Sequence, residues 1–446
     1  MTRTGRTGDW SRRRFLRVAG GGAATLGGAS LVGFPQQMLV ARAETQEIIF
    51  AAADWWINKQ TSLERFAALY AQQFPERRIR LLRFSLETPR ALLENQQGRS
   101  SIDSYGGAGS PAGNLPLIQA GVFVPLDDVM PPDIKNDIQK SVLAGAVLQG
   151  KLYMFPLQAA GTSVGYRKSM LKQAGVGAPP DYLDDYIAML EAIRKSAKAP
   201  DGSPVFPLTW DPLRPWRLVS SVGLSMLGME GYWSADPEAV VNWDNPGMVD
   251  VLEFLKRLVP YSPPEIFSPG DVYADVMGAG RAAIMWSAEG RPVEYAQRTF
   301  GLDDLGLAVP PRPRRPIQGD GSVRGVSGAE GVYFFRHSPR WRMALDFVVW
   351  LYRKGSFQES LATEGGWTPV SIAADTSKQL PAWVKSTQEC ISRERPFPNT
   401  PYLRAWIASW PPVLVSYLQG HIGTAKEALA RGKDELATAV RVQKGR

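Results

Sequence analysis

Gly150-Lys151-Leu152-Tyr153-Met154-Phe155-Pro156-Leu157 is the stretch on which the fold turns, continuing through Gln158 and Ala159-Ala160-Gly161-Thr162-Ser163 to Tyr166-Arg167-Lys168. A glycine turn leads into an apolar strand that Pro156 should close, since proline cannot donate to a sheet ladder. Small residues follow, then a second strand, Val164-Gly165-Tyr166, and a helix over 169–175. Small side chains let the backbone bend and let another group approach it closely. Two readings fit: a passage between two lobes, or an ordinary strand-loop-strand within one domain. The flanking sequence favours the first.

Upstream stands Gln119-Ala120-Gly121-Val122-Phe123-Val124-Pro125-Leu126-Asp127-Asp128. Downstream come Met170-Leu171-Lys172-Gln173-Ala174-Gly175, Pro179-Pro180 and a helix over 183–193. In this order and spacing the pieces resemble the bacterial extracellular solute-binding proteins of ABC importers, of the maltose-binding type. Their pattern runs G-x-x-x-P-L-D-D, G-K-L-Y-x-x-P, Y-x-K-x-x-L-K-x-A-G and P-P. Tyr182 departs from it, standing where the family commonly has Trp. The resemblance extends over nearly the whole chain after residue 43, with loops matching least.

The resemblance implies an α/β fold of two lobes. Each lobe would be an open, mostly parallel sheet flanked by helices, and three crossings would join them. The amino-terminal lobe would hold 44–158 and 330–372, and the carboxyl-terminal lobe 159–329 and 373–446. It also implies a monomer that hinges shut on a small solute and presents both lobes to the transmembrane subunits of an ABC permease, with no cofactor.

Composition narrows the alternatives. Residues 1–43 hold seven arginines and one aspartate, a net +6 of the formal +8, so the remainder is close to neutral at +2. A near-neutral chain has no electrostatic footprint for nucleic acid. Cys390 is the single cysteine, so no internal disulfide can form. With only His337 and His421 as histidines, the usual zinc and haem ligand sets are missing, and no loop has calcium-ligand spacing.

Ser11-Arg12-Arg13-Arg14-Phe15-Leu16-Arg17 fits the twin-arginine export signal. A Gly/Ala-rich apolar run over 18–34 and Ala41-Arg42-Ala43 follow, placing cleavage before Glu44 and the product in the periplasm. The alternative is a membrane anchor, for which the run is short and broken by glycines. No cysteine follows it for lipid attachment.

Strand Ile48 to Ala53, a helix opened by Thr61 and Glu64 as a capping box, and strand Ile79 to Phe84 make a unit of an open parallel sheet. Ligands of such sheets lie beyond the carboxyl ends of strands, where Asp54-Trp55-Trp56 and Asp103-Ser104-Tyr105-Gly106-Gly107-Ala108-Gly109-Ser110 fall. The glycines suit a tight turn, close approach to a sugar, or an anion cradle. Pro207 to Trp216 should reach the cleft from the other lobe. Asn245-Pro246 caps a helix over 248–259. Gly278 to Trp286 matches the family's G-x-A-A-M strand, and 309–316, rich in Pro and Arg, reads as an exposed linker. Gly328 to Phe335 and Gly365 to Val370 read as the second and third crossings. The helix after Ser338-Pro339 should turn Trp341, Ala344, Leu345, Val348 and Leu351 inward, and Thr424 with Glu427 should cap the last helix.

Neither histidine is placed as a catalytic base. Both fall at helix starts, where surface or capping roles suit them, so a Ser-His-Asp site has no support. Asp211 and Glu289 are the candidate carboxylate pair of a competing reading, a secreted carbohydrate-active enzyme. A scaffold that kept the fold and lost the cleft is a third. Tryptophans separate them: Trp55, Trp56, Trp210, Trp216, Trp286, Trp367, Trp406 and Trp410 all fall where the family places its cleft. Each serves core packing or ligand stacking equally well. The expected ligand is a sugar on Trp286 and one of Trp55, Trp367 and Trp406, with Asp54 and Asp211 accepting hydroxyl hydrogen bonds. Tyr105, Trp210, Trp216, Glu289 and Arg404 complete the expected site. Arg214, Arg291 and Arg404 raise the variant of an anionic sugar or other anionic solute.

Overall fold

The strands follow in chain order as β1 (Gln46–Ala52), β2 (Arg77–Arg83), β3 (Ser104–Gly106), β4 (Val147–Leu148), β5 (Lys151–Leu152), β6 (Phe155–Ala160), β7 (Thr162–Arg167), β8 (Phe206–Trp210), β9 (Ala282–Ala288), β10 (Leu305–Ala308), β11 (Gly325–Phe334), β12 (Thr368–Pro369) and β13 (Glu394–Pro396). The computed structural model describes residues 46–53, 56, 62–107, 109–199, 201–288, 290–375, 380–398 and 400–445. The expected export segment and the expected cleavage site lie outside these, as do Asp54, Trp55, Thr61 and Glu289.

Two sheets carry the fold. One is ordered β12-β6-β11-β3-β1-β2 with β13 beside β11, and the other β10-β7-β9-β8. Strand pairs β1/β2, β1/β3 and β8/β9 are parallel. Strands passing between the sheets join antiparallel: β6 with β11 and β12, and β7 with β9 and β10. The helix Leu63–Gln73 connects β1 to β2 and buries Leu63, Phe66, Ala67 and Tyr70. Helical spacing puts these four on one stripe. Phe66 and Tyr70 meet Phe357 and Phe347 edge-on, with ring centroids 5.2 and 5.0 Å apart.

The first crossing has the form its small residues imply. β6 belongs to one sheet, β7 to the other, and Gly161 alone separates them. The strand does not close at Pro156 but runs through it. Pro156 lies opposite Gly331, where the β6–β11 register shifts. A bulge accommodates a residue with no N–H to give. Gly331 must be small there, since a Cβ would sit 2.0 Å from the Phe155 carbonyl oxygen. Upstream, the Leu126 N–H donates to the Leu152 carbonyl at 2.7 Å and the Asp127 carboxylate accepts the Leu152 N–H at 3.1 Å. The P-L-D-D and G-K-L-Y pieces are thus hydrogen-bonded to each other.

The 309–316 segment lies between β10 and β11 and is tied down rather than free. Arg312 Nε donates to Asp181 at 3.1 Å, and the Arg314 guanidinium stands 4.4 Å from the Tyr182 ring centroid. An aromatic at 182 therefore packs against a cation here. In the helix Trp341–Arg353, Trp341 is only half-buried, while Phe347 joins the core against Phe50. The final helix, Ala425–Gln443, is capped as its sequence implies: Thr424 accepts the Glu427 N–H at 3.2 Å. No helix among the described residues is long and apolar enough to cross a membrane.

Candidate functional site

Where β6 and β11 lie side by side near the first crossing, a cavity of about 330 Å³ opens. Its floor is backbone and small side chains: Ala160 at the end of β6, and Val326, Gly328 and Ala329 on β11. One wall is the loop after β3, with Gly109, Ser110 and Gly113. The other holds Arg217, from the helix Pro215–Tyr232, and Leu403, Arg404 and Ile407, from the helix Leu403–Leu418. Glu330 and Phe397 complete it.

The loop wall is held from behind. Tyr333 donates its hydroxyl to the Gly109 carbonyl at 2.6 Å, and Asn114 Nδ2 donates to the Ser110 carbonyl at 3.1 Å. Trp56 anchors the loop's start: a Cβ at Gly106 would lie 2.7 Å from its ring. Gly106 and Gly107 thus pack against protein, whereas Gly109, at φ 71°, meets nothing within 4 Å. Asp103, 1% exposed, directly precedes β3 and is a structural hub, not the end of a strand. It accepts the Ile49 N–H at 2.6 Å and the Arg340 Nε–H at 3.2 Å, and pairs with the Ser338 hydroxyl.

Of the expected site residues whose side chains are described, Arg404 alone lines this cavity. It is exposed and makes no ion pair or side-chain hydrogen bond among the described residues. Trp210, Trp286, Trp367 and Trp406 are each 2% exposed or less. Trp210 Nε1 donates to Ser262 at 2.9 Å, Trp286 packs 5.7 Å from Tyr186, and Trp406 meets Trp233 edge-on at 6.0 Å. They are core residues. Tyr105 is also buried, its hydroxyl donating to the Phe84 carbonyl at 3.0 Å.

Asp211 is 7% exposed, accepts the Leu213 N–H at 2.9 Å and pairs with Arg214 at 3.2 Å. Burial pushes its carboxyl above the ordinary range, against the pull of Arg214. Asp271 holds both Arg214, at 3.2 Å, and Arg291, at 2.8 Å. These two arginines are neutralised by Asp271, whereas Arg404 lines the cavity, as Arg217 does. Asp54, Trp55 and Glu289 lie outside the described residues, and Trp216 is described only as backbone in its helix.

The sequence did not single out Glu330, Arg217 or Phe397 as site residues, whereas Ser110 falls in the loop it did single out. Glu330 lies inside the second crossing and Arg217 directly follows Trp216, so each stood beside a recognised feature. Phe397, the single aromatic in the lining, sits between prolines with no periodic signal. A second cavity, of about 470 Å³, lies against Asp137 and Tyr352. Asp137 is already engaged there by Tyr352 at 2.8 Å, by Ser371 and by the Ala373 N–H. Among the described residues no group of three or more His, Cys, Asp or Glu side chains could hold a metal ion.

Two sheets joined by crossing strands around a cavity define the class of two-lobe periplasmic binding folds. The chain superposes with a TM-score of 0.69 on the GacH receptor of Streptomyces glaucescens GLA.O, solved unliganded and with acarbose and a homolog of it; identity is 14%, over 89% of this chain and 99% of that one. It superposes with a TM-score of 0.67 on the maltotriose-binding protein of Thermus thermophilus, solved with maltotriose; identity is 17%, over 88% of this chain and all of that one. Residues 105–356 match the family of bacterial extracellular solute-binding proteins, and the chain belongs to that family. Binding proteins of Brucella abortus (strain 2308) and Brucella suis biovar 1 (strain 1330) are each 31% identical over 71 residues. That match covers 16% of this chain and 17% of the length of these curated relatives.

Proposed function

We propose that this protein captures a carbohydrate in the cavity at the strand crossings and delivers it to an ABC permease by closing its two lobes. The observation that carries the reading is the cavity itself. Backbone and small residues form its floor, and a carboxylate (Glu330), a guanidinium (Arg404) and an aromatic ring (Phe397) converge on it from separate elements. Sugar hydroxyls call for charged and polar partners, and sugar rings for an apolar face. The shared fold with proteins solved with maltotriose and acarbose supports the assignment.

The lobes in this reading hold 44–158 with 330–372, and 159–329 with 373–446. Export follows the twin-arginine route to the periplasm, and the protein acts as a monomer. Turnover of the ligand is not expected: Asp211 is committed to Arg214 and Leu213 and does not line the cavity.

Thermal-shift screening of the exported chain against sugars, sugar phosphates, amino acids and oligopeptides tests the reading. Stabilisation by sugars is the expected result. Stabilisation by amino acids or peptides alone would overturn the carbohydrate assignment and leave solute capture standing.

A further inference from the structure

Glu394 is a carboxyl group that solute capture does not use, buried where the crossings meet. It begins β13, directly opposite Gly325, the first residue of β11. On its other side lies Gly161, the residue between β6 and β7. Both glycines lie close against the carboxyl: a Cβ would come within 2.6 Å of Oε2 at Gly161 and 3.1 Å of Oε1 at Gly325. The Thr162 N–H donates to Oε1, and Oε2 has no hydrogen-bond partner. The residue is 1% exposed.

Among the described residues no cation forms an ion pair with it. Arg324, which directly precedes β11, donates from Nη1 to Asp181 and the Pro310 carbonyl, and its ion pair is with Asp181. Arg395 donates to the Glu394 main-chain carbonyl at 3.1 Å, not to its carboxylate. Arg393 pairs with Glu389 at 3.5 Å. From the helix Ala382–Ser392, Cys390 and Ile391 lie beside it, and neither can supply positive charge. Lys385 on that helix and Lys140 on the helix Lys140–Gly145 make no ion pair with it. The segments around Gly161 and Gly325 bring Gln158, Thr162, Ser163 and Ser327 as uncharged polar side chains, and Arg324 as the charged one. An isolated carboxylate in such a place is far costlier than a neutral carboxylic acid.

We propose that Glu394 is a pH-sensitive pin of the strand crossings: a neutral acid while Gly161 and Gly325 enclose it, and an anion that loosens them once water reaches it. Burial raises this carboxyl well above the ordinary glutamate value of 4.5, and the Thr162 N–H opposes the shift only in part. The sign follows from linkage. A folded-state value above the unfolded one means the folded, enclosed form binds its proton more tightly. Its stabilisation is complete below the ordinary value and is lost as pH rises through the folded one. Acid therefore favours the enclosed arrangement, and alkali its opening.

The test needs no ligand, so its outcome leaves the ligand class untouched. Melting temperature and small-angle scattering of the exported chain are followed from about pH 5 to about pH 9, beside Glu394→Gln, which keeps the shape and removes the charge. The expected result is a melting temperature that falls by several degrees and a radius of gyration that grows with pH in the native chain, with a flatter profile for both in E394Q. Parallel profiles, or a native radius that stays constant, overturn the proposal. If E394Q does not fold, carboxyl-carbon NMR of the native chain decides. A glutamate side chain still protonated at neutral pH supports the pin, and titration of every glutamate in the ordinary range overturns it.

Discussion

Gly290 and Gly366 lie so close that a Cβ on Gly290 would come within 1.8 Å of the Gly366 carbonyl oxygen. Gly290 follows β9 of the four-stranded sheet, and Gly366 precedes β12 of the other sheet. Close by, Gln297 Nε2 donates to the Thr363 carbonyl at 3.3 Å. Backbone here meets backbone across the boundary between the sheets.

Gly290→Ala should therefore hold the lobes apart. Backbone cannot yield to a methyl group as a flexible side chain can. We expect affinity for the sugar selected by screening to fall by at least about tenfold, on the order of 1.4 kcal/mol. Scattering should show less compaction on ligand addition than in the native chain. Full compaction with native affinity would show that this contact is no part of the closed state.

Trp286 and Phe397 should separate core from site. Trp286, 2% exposed, is a packing residue, and Trp286→Ala should cost about 3–5 kcal/mol of stability in denaturant titration. Phe397 lines the cavity, and Phe397→Ala should leave the denaturation midpoint nearly unchanged while weakening sugar binding by about 1 kcal/mol. Calorimetry on the folded variants reads the second effect. A reversed pattern would return the stacking role to Trp286.

Arg404 should report the ligand's charge. Donating from its guanidinium to a sugar oxygen, it is worth about 1.5–3 kcal/mol, lost in Arg404→Ala. For a neutral sugar the affinity should vary by less than about twofold between low and physiological salt, since no ligand charge is there to screen. A steep salt dependence abolished in R404A would identify an anionic solute instead.

Thr424 gives a local control remote from any ligand question. Removing its hydroxyl leaves the Glu427 N–H without its cap. Thr424→Ala should cost about 1 kcal/mol in thermal or denaturant unfolding, with ligand affinity unaltered.

The order of elements, the last helix's cap and the strand-to-strand passage at Gly161 were all legible in the chain itself, because each depends on neighbours within a few residues. So were the P-L-D-D and G-K-L-Y pieces, although only the folded chain shows the Asp127 carboxylate on the Leu152 N–H. Pro156 was misread as a strand end because the bulge that accommodates it is made by Gly331, far away in sequence.

The site was decided by packing. Tryptophan offers the same apolar area to a core as to a sugar ring, so sequence alone could not place Trp210, Trp286, Trp367 and Trp406 in the interior. Arg214 and Arg291 looked as available as Arg404 until the fold brought Asp271 to both of them. Glu394 looks in sequence like any other charged residue, and it is enclosed because β13 docks beside β11. Local chemistry specifies turns, caps and strand alternation. Which side chain is left facing a cavity, and with what charge beside it, follows from contacts between residues tens to hundreds of positions apart.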